Sequence, residues 1–134
     1  MSVYILAPLL AWLLAQGTKV ALYKLHGRSV RKTITSSGGM PSAHSALVVS
    51  VSTVIAARDG LESPLFALAA VIALITMYDA VNVRRAVGEQ GKVLKELAKN
   101  KRISFKRAAG HTLPEVLAGI TVGVIAAWLA LSLL

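Results

Sequence analysis

A histidine and a glutamate stand four residues apart in the segment GHTLPE, just before the last apolar stretch of the chain. If a helix begins there, this spacing brings the carboxylate of Glu115 within reach of the His111 ring. A carboxylate that holds a histidine in one tautomer makes it a good nucleophile or base. A second interpretation stays open, because Thr112 and Glu115 also form the pattern of a helix capping box, with Pro114 in the first turn.

A second histidine, His44, follows the segment GGMPS at the start of another apolar stretch. A glycine such as Gly39 lets the backbone approach a ligand closely, and a helix that starts after Ser42 offers N–H groups to a phosphate. His44 could supply a proton there near neutral pH. The alternative is an ordinary helix start, with Ser42 as the N-cap and His44 at the water boundary.

The third polar cluster ends an apolar stretch, in the segment YDAVNVRR. An aspartate at this position is costly in a membrane unless a cation accompanies it. Asp79 is followed within six residues by Asn82, Arg84 and Arg85. The pattern favours a polar site with a paired carboxylate, and the alternative is an exposed charge that reaches the interface together with the arginines.

Apolar segments must position these clusters. Hydrophobic residues make up 55% of the 134 residues and the mean hydropathy is +0.65, both high for a soluble protein. Three stretches reach or approach the roughly 20 residues needed to cross a bilayer: Ser2–Gln16 with a continuation to Leu25, Pro64–Tyr78 and Pro114–Leu134. A fourth stretch, Ala43–Ala57, is shorter. We therefore predict an all-α polytopic membrane bundle of about four transmembrane helices, which forms a single domain over residues 1–134.

Consecutive segments cross the membrane in opposite directions, so the start of the second, the end of the third and the start of the fourth lie on the same side of the bundle. The three polar clusters stand at these three segment ends. After the third segment, Val93, Leu94 and Leu97 share one face among lysines. This pattern predicts a short basic amphipathic helix at the membrane surface.

The net charge of +9 is concentrated in the first and third connections. The positive-inside rule predicts that these connections, and with them the site, face the cytoplasm. A phosphate site would collect the same lysines and arginines.

The chain has no cysteine, which excludes disulfides and thiolate catalysis. The partners we expect are membrane lipids and no nucleic acid.

Three segments resemble the motifs of the type 2 phosphatidic acid phosphatase superfamily, which includes the vanadium haloperoxidases. MPSAHSA is similar to its Pro-Ser-Gly-His motif. SFKRAAGHTLPE resembles Ser-Arg-x5-His-x3-Asp, with Ser104, His111 and Glu115 at the motif positions. KLHGRSVRK gives Lys24 and Arg31 at the spacing of Lys-x6-Arg-Pro. Together, GGMPSxHS, YDAxxVRR and HTxxEVxxG resemble a divergent, short branch of the superfamily over most of the chain.

The chain departs from the superfamily pattern at four positions. Ala43 replaces a glycine, Lys32 replaces the proline, Phe105 replaces a phosphate-binding arginine, and Glu115 replaces the aspartate. The arginines that would have to substitute for the missing one are Arg84, Arg85 and Arg107. The predicted four helices are also fewer than the six that are usual in the superfamily's enzymes.

The resemblance implies a lipid phosphatase that needs no metal or other cofactor. His111 would attack the phosphorus and form a phosphohistidine, Glu115 would orient His111, and His44 would protonate the leaving oxygen and then activate water. The residues implied to hold the phosphoryl oxygens are Lys24, Arg31, Gly39, Ser42, Arg84 and Arg85. The substrates that fit are phosphatidic acid, phosphatidylglycerophosphate and a polyprenyl diphosphate.

Two other functions fit the same residues. In a Mg²⁺-dependent phosphatase, the carboxylates of Asp79, Glu89 and Glu115 would supply the hard oxygen ligands that Mg²⁺ prefers. In a protein that binds or transports a lipid phosphate without hydrolysing it, the phosphatase core would be inactive. Four helices are few for a transporter, so a homodimer is expected in that case.

Overall fold

The computed structural model of the chain describes residues 2–27, 39–98 and 110–134. Within these ranges the regular structure is helical: α1 is Val3–Leu25, α2 Ala43–Asp59, α3 Pro64–Val81, α4 Val83–Leu97 and α5 Leu113–Leu133. The predicted all-α membrane bundle is confirmed, since α1, the combined α3 and α4, and α5 are long and apolar enough to cross a bilayer. With 17 residues, α2 is not one of these candidate spans, so the count of four stays a prediction.

Serines begin the two helices of the central hairpin. The side chain of Ser42 accepts the N–H of Ser45 at 3.3 Å, and that of Ser63 accepts the N–H of Phe66 at 3.1 Å. Pro64 occupies the first turn of α3, where its missing N–H costs nothing. The N-cap interpretation of Ser42 is therefore correct.

Helix α1 continues without a break past Gln16 and Gly17, where the sequence predicted its first apolar segment to end. The reason is a row of residues at every fourth position, all of them buried against the other helices: Val3, Ala7, Ala11, Ala15 and Lys19. Residues four apart lie one above another on a helix, so the packing face does not stop where the apolar composition weakens.

Small residues bring α1, α2 and α5 into close contact, and these helices form the core of the bundle. A Cβ atom on Gly119 would lie 2.5 Å from the carbonyl oxygen of Ser42, and one on Gly123 would lie 2.7 Å from that of Ala46. Gly119 and Gly123, four residues apart, therefore let α5 approach α2 closely. Such contacts replace the hydrophobic effect, which cannot join helices already surrounded by lipid tails.

Helix α3 packs against α2 and reaches α5, while α4 packs against α3 alone among the described helices. No residue of α4 is buried, and its apolar residues Val87, Val93, Leu94 and Leu97 are exposed. The predicted amphipathic helix is present and begins earlier than its lysine-rich part indicated. Its location at the membrane surface stays a prediction.

Candidate active site

His111 and Glu115 meet at the start of α5. Nδ1 of the buried His111 ring lies 3.1 Å from Oε2 of Glu115. The same oxygen accepts the backbone N–H of Thr112 at 3.0 Å. One carboxylate therefore both caps the helix and contacts the histidine, while the role of His111 as a nucleophile or base stays a prediction. A carboxylate on Nδ1 favours the tautomer with its proton there, which leaves the lone pair on Nε2.

The main chain of His111 is fixed to the end of α3. Its N–H donates to the carbonyl oxygen of Ala80 at 2.9 Å. Gly110 lies against the junction of α3 and α4, where an added Cβ would be 2.5 Å from Cα of Arg85 and 2.8 Å from the carbonyl carbon of Arg84. The absence of a side chain at Gly110 therefore lets the start of α5 dock on this junction.

The start of α2 is joined to the start of α5. The N–H of Ser42 donates to the carbonyl oxygen of Glu115 at 3.0 Å. Oγ of Ser42 accepts both the N–H of Ser45 and the hydroxyl of Ser45, the latter at 2.9 Å, and both serines are fully buried. In these contacts Ser42 acts as a helix cap. Its contact with a phosphate stays a prediction.

His44 lies in the first turn of α2 and is exposed. The charged groups near enough to act on its ring are those of Arg84, His111, Lys19 and Asp79. They come from the second half of α1, from the two sides of the α3–α4 junction, and from the segment just before α5. The three clusters that the sequence predicted on one side of the bundle therefore lie together.

In the third cluster, the carboxylate of Asp79 is paired. Its Oδ2 accepts Nε–H of Arg84 at 2.6 Å. Arg85 instead places its Nε 3.3 Å from Glu89, and both of these side chains are largely exposed. The amide of Asn82 donates at 3.2 Å to the carbonyl oxygen four residues earlier in its own helical segment. Arg84 and Asp79 are thus the members whose charges act on His44, while the side-chain hydrogen bonds of Arg85 and Asn82 run along the helix.

The family model described as "Divergent PAP2 family" matches residues 2–126, which include all three clusters. The chain belongs to the divergent PAP2 family. It is also 37% identical over 140 residues to the membrane protein YuiD of Bacillus subtilis (strain 168), which is described as uncharacterized. The aligned region covers 90% of this chain and 89% of that protein. No solved structure matches the chain.

Membership of the divergent PAP2 family confirms the resemblance that the motifs indicated. Of the first motif, Lys24 is exposed in the last turn of α1, and its backbone carbonyl oxygen accepts the N–H of Gly27 at 3.0 Å. Arg31 lies outside the described residues, as do Phe105 and Arg107 of the final motif. In the described part of this divergent PAP2 protein, no three His, Asp or Glu side chains cluster as metal ligands would.

Two residues of α1, Lys19 and Tyr23, complete this end of the bundle, and the sequence analysis missed both. An added Cβ on Gly39, where φ is +88°, would lie 2.5 Å from the Tyr23 hydroxyl oxygen and 3.2 Å from Cε of Lys19. The spacing of four that runs from Ala15 to Lys19 and on to Tyr23 was the signal available in the sequence. This spacing of four continues the row of small residues of α1 directly into the polar site.

Proposed function

We propose that this divergent PAP2 protein is a metal-independent lipid phosphatase of the membrane that works through a phosphohistidine at His111. The observation that carries the proposal is the contact between Nδ1 of His111 and Glu115, with His44 and the Asp79–Arg84 pair close by. A histidine held by a carboxylate, a second histidine and a fixed cation can supply the nucleophile, the general acid and the charge stabilisation of phosphoryl transfer through a phosphohistidine.

In the first step, Nε2 of His111 attacks the phosphorus and the P–O bond to the lipid breaks. His44, protonated at this stage, donates its proton to the departing lipid oxygen. Glu115 holds His111 in position and stabilises the positive charge that its ring acquires. Arg84 stabilises the negative charge on the phosphoryl oxygens, and Arg31 is proposed to do the same from the first connection.

In the second step, His44 accepts a proton from water, whose oxygen attacks the phosphorus. The P–N bond breaks, and its electron pair returns to Nε2 of His111. Phosphate is released and His44 is again protonated for the next substrate. The two steps together consume one water and need no oxidant, reductant or metal.

An apolar groove supports a lipid substrate. It has a volume of about 290 Å³ and lies between α2 and α3. Its lining includes Leu47 and Val51 of α2 and Leu68 and Ile72 of α3. Leu47 stands three residues after His44, so the groove begins about one helical turn from the proposed proton donor. A hydrocarbon chain in the groove would leave its phosphate at the polar end of the bundle.

The pairing of the carboxylates favours the metal-independent mechanism over the Mg²⁺-dependent one. Asp79 is engaged by Arg84, Glu89 by Arg85, and Glu115 by His111. Each carboxylate of the magnesium alternative therefore already has a basic side chain as its partner, and Mg²⁺ would have to displace it.

The test is release of inorganic phosphate by the purified protein in detergent, with phosphatidic acid, phosphatidylglycerophosphate and a polyprenyl diphosphate as substrates. We expect turnover of at least one of them, unchanged in excess EDTA. Activity that disappears in EDTA and returns with Mg²⁺ would establish the metal-dependent mechanism instead. Binding of these lipids without phosphate release between pH 5 and 8 would identify a binding or transport protein.

A histidine outside the site supplies the control. His26 is exposed beyond the end of α1 and its Nδ1 lies 2.7 Å from the carbonyl oxygen of Leu22. His26→Ala should release phosphate at the wild-type rate. If it is as inactive as a variant of His111, the loss reflects damage to the protein and not the removal of a nucleophile.

A further inference from the structure

Lys19 is a buried lysine on the packing face of an apolar helix. It is 7% exposed and stands fifth in the row that begins with Val3 and continues through three alanines. A lysine inside a helix bundle is expensive, and such residues commonly mark a site for a charged ligand. Lys24, in the same helix, lies in the exposed last turn.

The loop before α2 is shaped to receive this side chain. Gly39 lies beside Cε of Lys19 and the hydroxyl of Tyr23, at distances that leave no room for a Cβ atom. Its φ of +88° is a conformation that residues with side chains rarely adopt. The missing side chain and the positive φ of Gly39 therefore allow Lys19 and Tyr23 to approach the loop that precedes Ser42 and His44.

The charges around Lys19 are those of the candidate active site. Glu115, which contacts His111, is the carboxylate that acts on the Lys19 ammonium, and the Lys19 charge in turn acts on the ring of His44. Lys19 thus lies within electrostatic range of the helix starts that carry both histidines. The sequence resemblance gave this place in the site to Lys24.

We infer that Lys19, and not Lys24, is the lysine by which α1 binds a phosphoryl oxygen of the substrate, with the Tyr23 hydroxyl beside it. The inference rests on the proposed function for the identity of the ligand, a phosphate monoester or diphosphate. An ammonium group supplies three N–H donors and a full charge to such an oxygen. The aliphatic part of the side chain packs in the apolar row while the ammonium reaches the loop.

The experiment measures binding and does not depend on turnover. Purified protein in detergent is titrated with phosphatidic acid, inorganic phosphate and phosphatidylcholine, for the wild type and for Lys19→Met, Lys19→Arg, Lys24→Met and Lys95→Met. Methionine keeps the length of the lysine side chain and removes its charge. Lys95 is an exposed lysine of α4 that serves as a control for charge loss.

We expect Lys19→Met to bind phosphatidic acid roughly tenfold to a hundredfold more weakly, as loss of a charged hydrogen bond predicts. Lys19→Arg should recover part of the affinity. Lys24→Met should change affinity by about fivefold at most, as is usual for an exposed charge, and Lys95→Met should match the wild type. If Lys19→Met binds both phosphatidic acid and inorganic phosphate more weakly, the defect lies at the phosphate. If it binds only the lipid more weakly, the defect lies at the glycerol backbone, and this result would overturn the inference.

Other outcomes separate this inference from the proposed function. Wild-type protein that binds phosphatidic acid but hydrolyses none of the three candidate lipids would refute the phosphatase and still allow the test of Lys19. Lys24→Met weakening binding more than Lys19→Met would overturn the assignment. If Lys19→Met does not fold, Lys19→Gln replaces it. Unchanged binding in a folded Lys19 variant would overturn the inference, and so would the absence of binding by the wild type.

Discussion

The backbone N–H of Ser42 donates a hydrogen bond to the carbonyl oxygen of Glu115, with the two atoms 3.0 Å apart. This bond joins the first turns of the two helices that position the histidines, since His44 follows Ser42 by two residues and His111 precedes Glu115 by four. Because it is a main-chain bond, it fixes the two helix starts independently of the catalytic side chains. A substitution that separates these helices should therefore reduce activity with every candidate catalytic residue intact.

Gly119→Ala is that substitution. The added Cβ would meet the carbonyl oxygen of Ser42 at 2.5 Å and Cβ of Ser45 at 2.9 Å, so α5 must move away from α2. We expect a loss of roughly 1–3 kcal/mol in the free energy of unfolding, as for other overpacked interiors, and lower phosphate release. Thermal unfolding in detergent and the substrate assay measure the two effects.

Gly17→Ala is the matched control, because nothing lies within 4 Å of a Cβ at that position in α1. Alanine in a helix interior favours the folded state by roughly 0.5–1 kcal/mol relative to glycine. Equal destabilisation by both substitutions would mean that the close approach of α5 to α2 is not what Gly119 provides.

Glu115 has two separable tasks, one toward His111 and one toward the N–H of Thr112. Glu115→Gln keeps an oxygen that can accept the Thr112 N–H but removes the negative charge. We expect its kcat to fall on the order of 10²-fold or more, since a histidine that acts in phosphoryl transfer loses its carboxylate partner. Its unfolding midpoint should stay close to that of the wild type.

Glu115→Ala removes both tasks and should lower stability by about 1 kcal/mol in addition to the loss of kcat. The comparison of kcat with the unfolding midpoint in the two variants distinguishes the tasks. Wild-type kcat in Glu115→Gln, with reduced stability in Glu115→Ala, would leave Glu115 as a helix cap only.

The sidedness of the site follows from the basic connections. We predict that residues 24–40 and 84–110 face the cytoplasm. Single cysteines at Ser29, Glu62 and Lys99 of this cysteine-free chain report the topology. Glu62 is exposed in the α2–α3 turn, whereas the neighbouring Asp59 accepts hydrogen bonds from Tyr4 at 3.0 and 3.1 Å and is better left intact. An impermeant maleimide should label only position 62 in intact cells, and labelling at 29 and 99 would move the site to the outer face.

Much of this arrangement was predictable because it follows from segment order. Once the apolar segments are recognised, helices that alternate in direction must bring Ser42, Asp79 and Glu115 to one end. The contact of His111 with Glu115 follows from their spacing on a helix start, and that of Asp79 with Arg84 from the cost of an unpaired charge.

The features that depend on tertiary contacts were not predictable from local sequence patterns. Lys19 was not among the predicted site residues because apolar composition weakens after Gln16, although the spacing of four continues through it. The burial of Ser42 depends on how closely α5 approaches, and this approach depends on Gly119 in another helix. Nothing in the local segment GGMPS reports that contact.

His111→Ala should abolish phosphate release from every substrate, because it removes the nitrogen that attacks phosphorus. The measurement is phosphate release from a lipid phosphate and from an aryl phosphate, with His26→Ala as the control. A phosphoprotein trapped by rapid denaturation in alkaline detergent, where the P–N bond survives, from the wild type and not from His111→Ala would locate the intermediate at His111. Substantial activity in the variant would show that another group attacks.

His44→Ala should have an effect that depends on the leaving group. A lipid alkoxide needs a proton as it departs, whereas an aryl oxide departs as a comparatively stable anion. General acid catalysis is typically worth about 10²–10⁴-fold, so kcat for the lipid phosphate should fall by about that factor, and kcat for the aryl phosphate by much less. His44 also has Arg84, Lys19 and Asp79 near it, so its loss changes the charge of the site as well as removing an acid. His44→Gln keeps a hydrogen-bonding side chain that cannot release a proton, so the same defect in both variants would exclude a lost hydrogen bond as its cause. Equal losses on both substrates would indicate that His44 binds the phosphate and does not protonate the leaving oxygen.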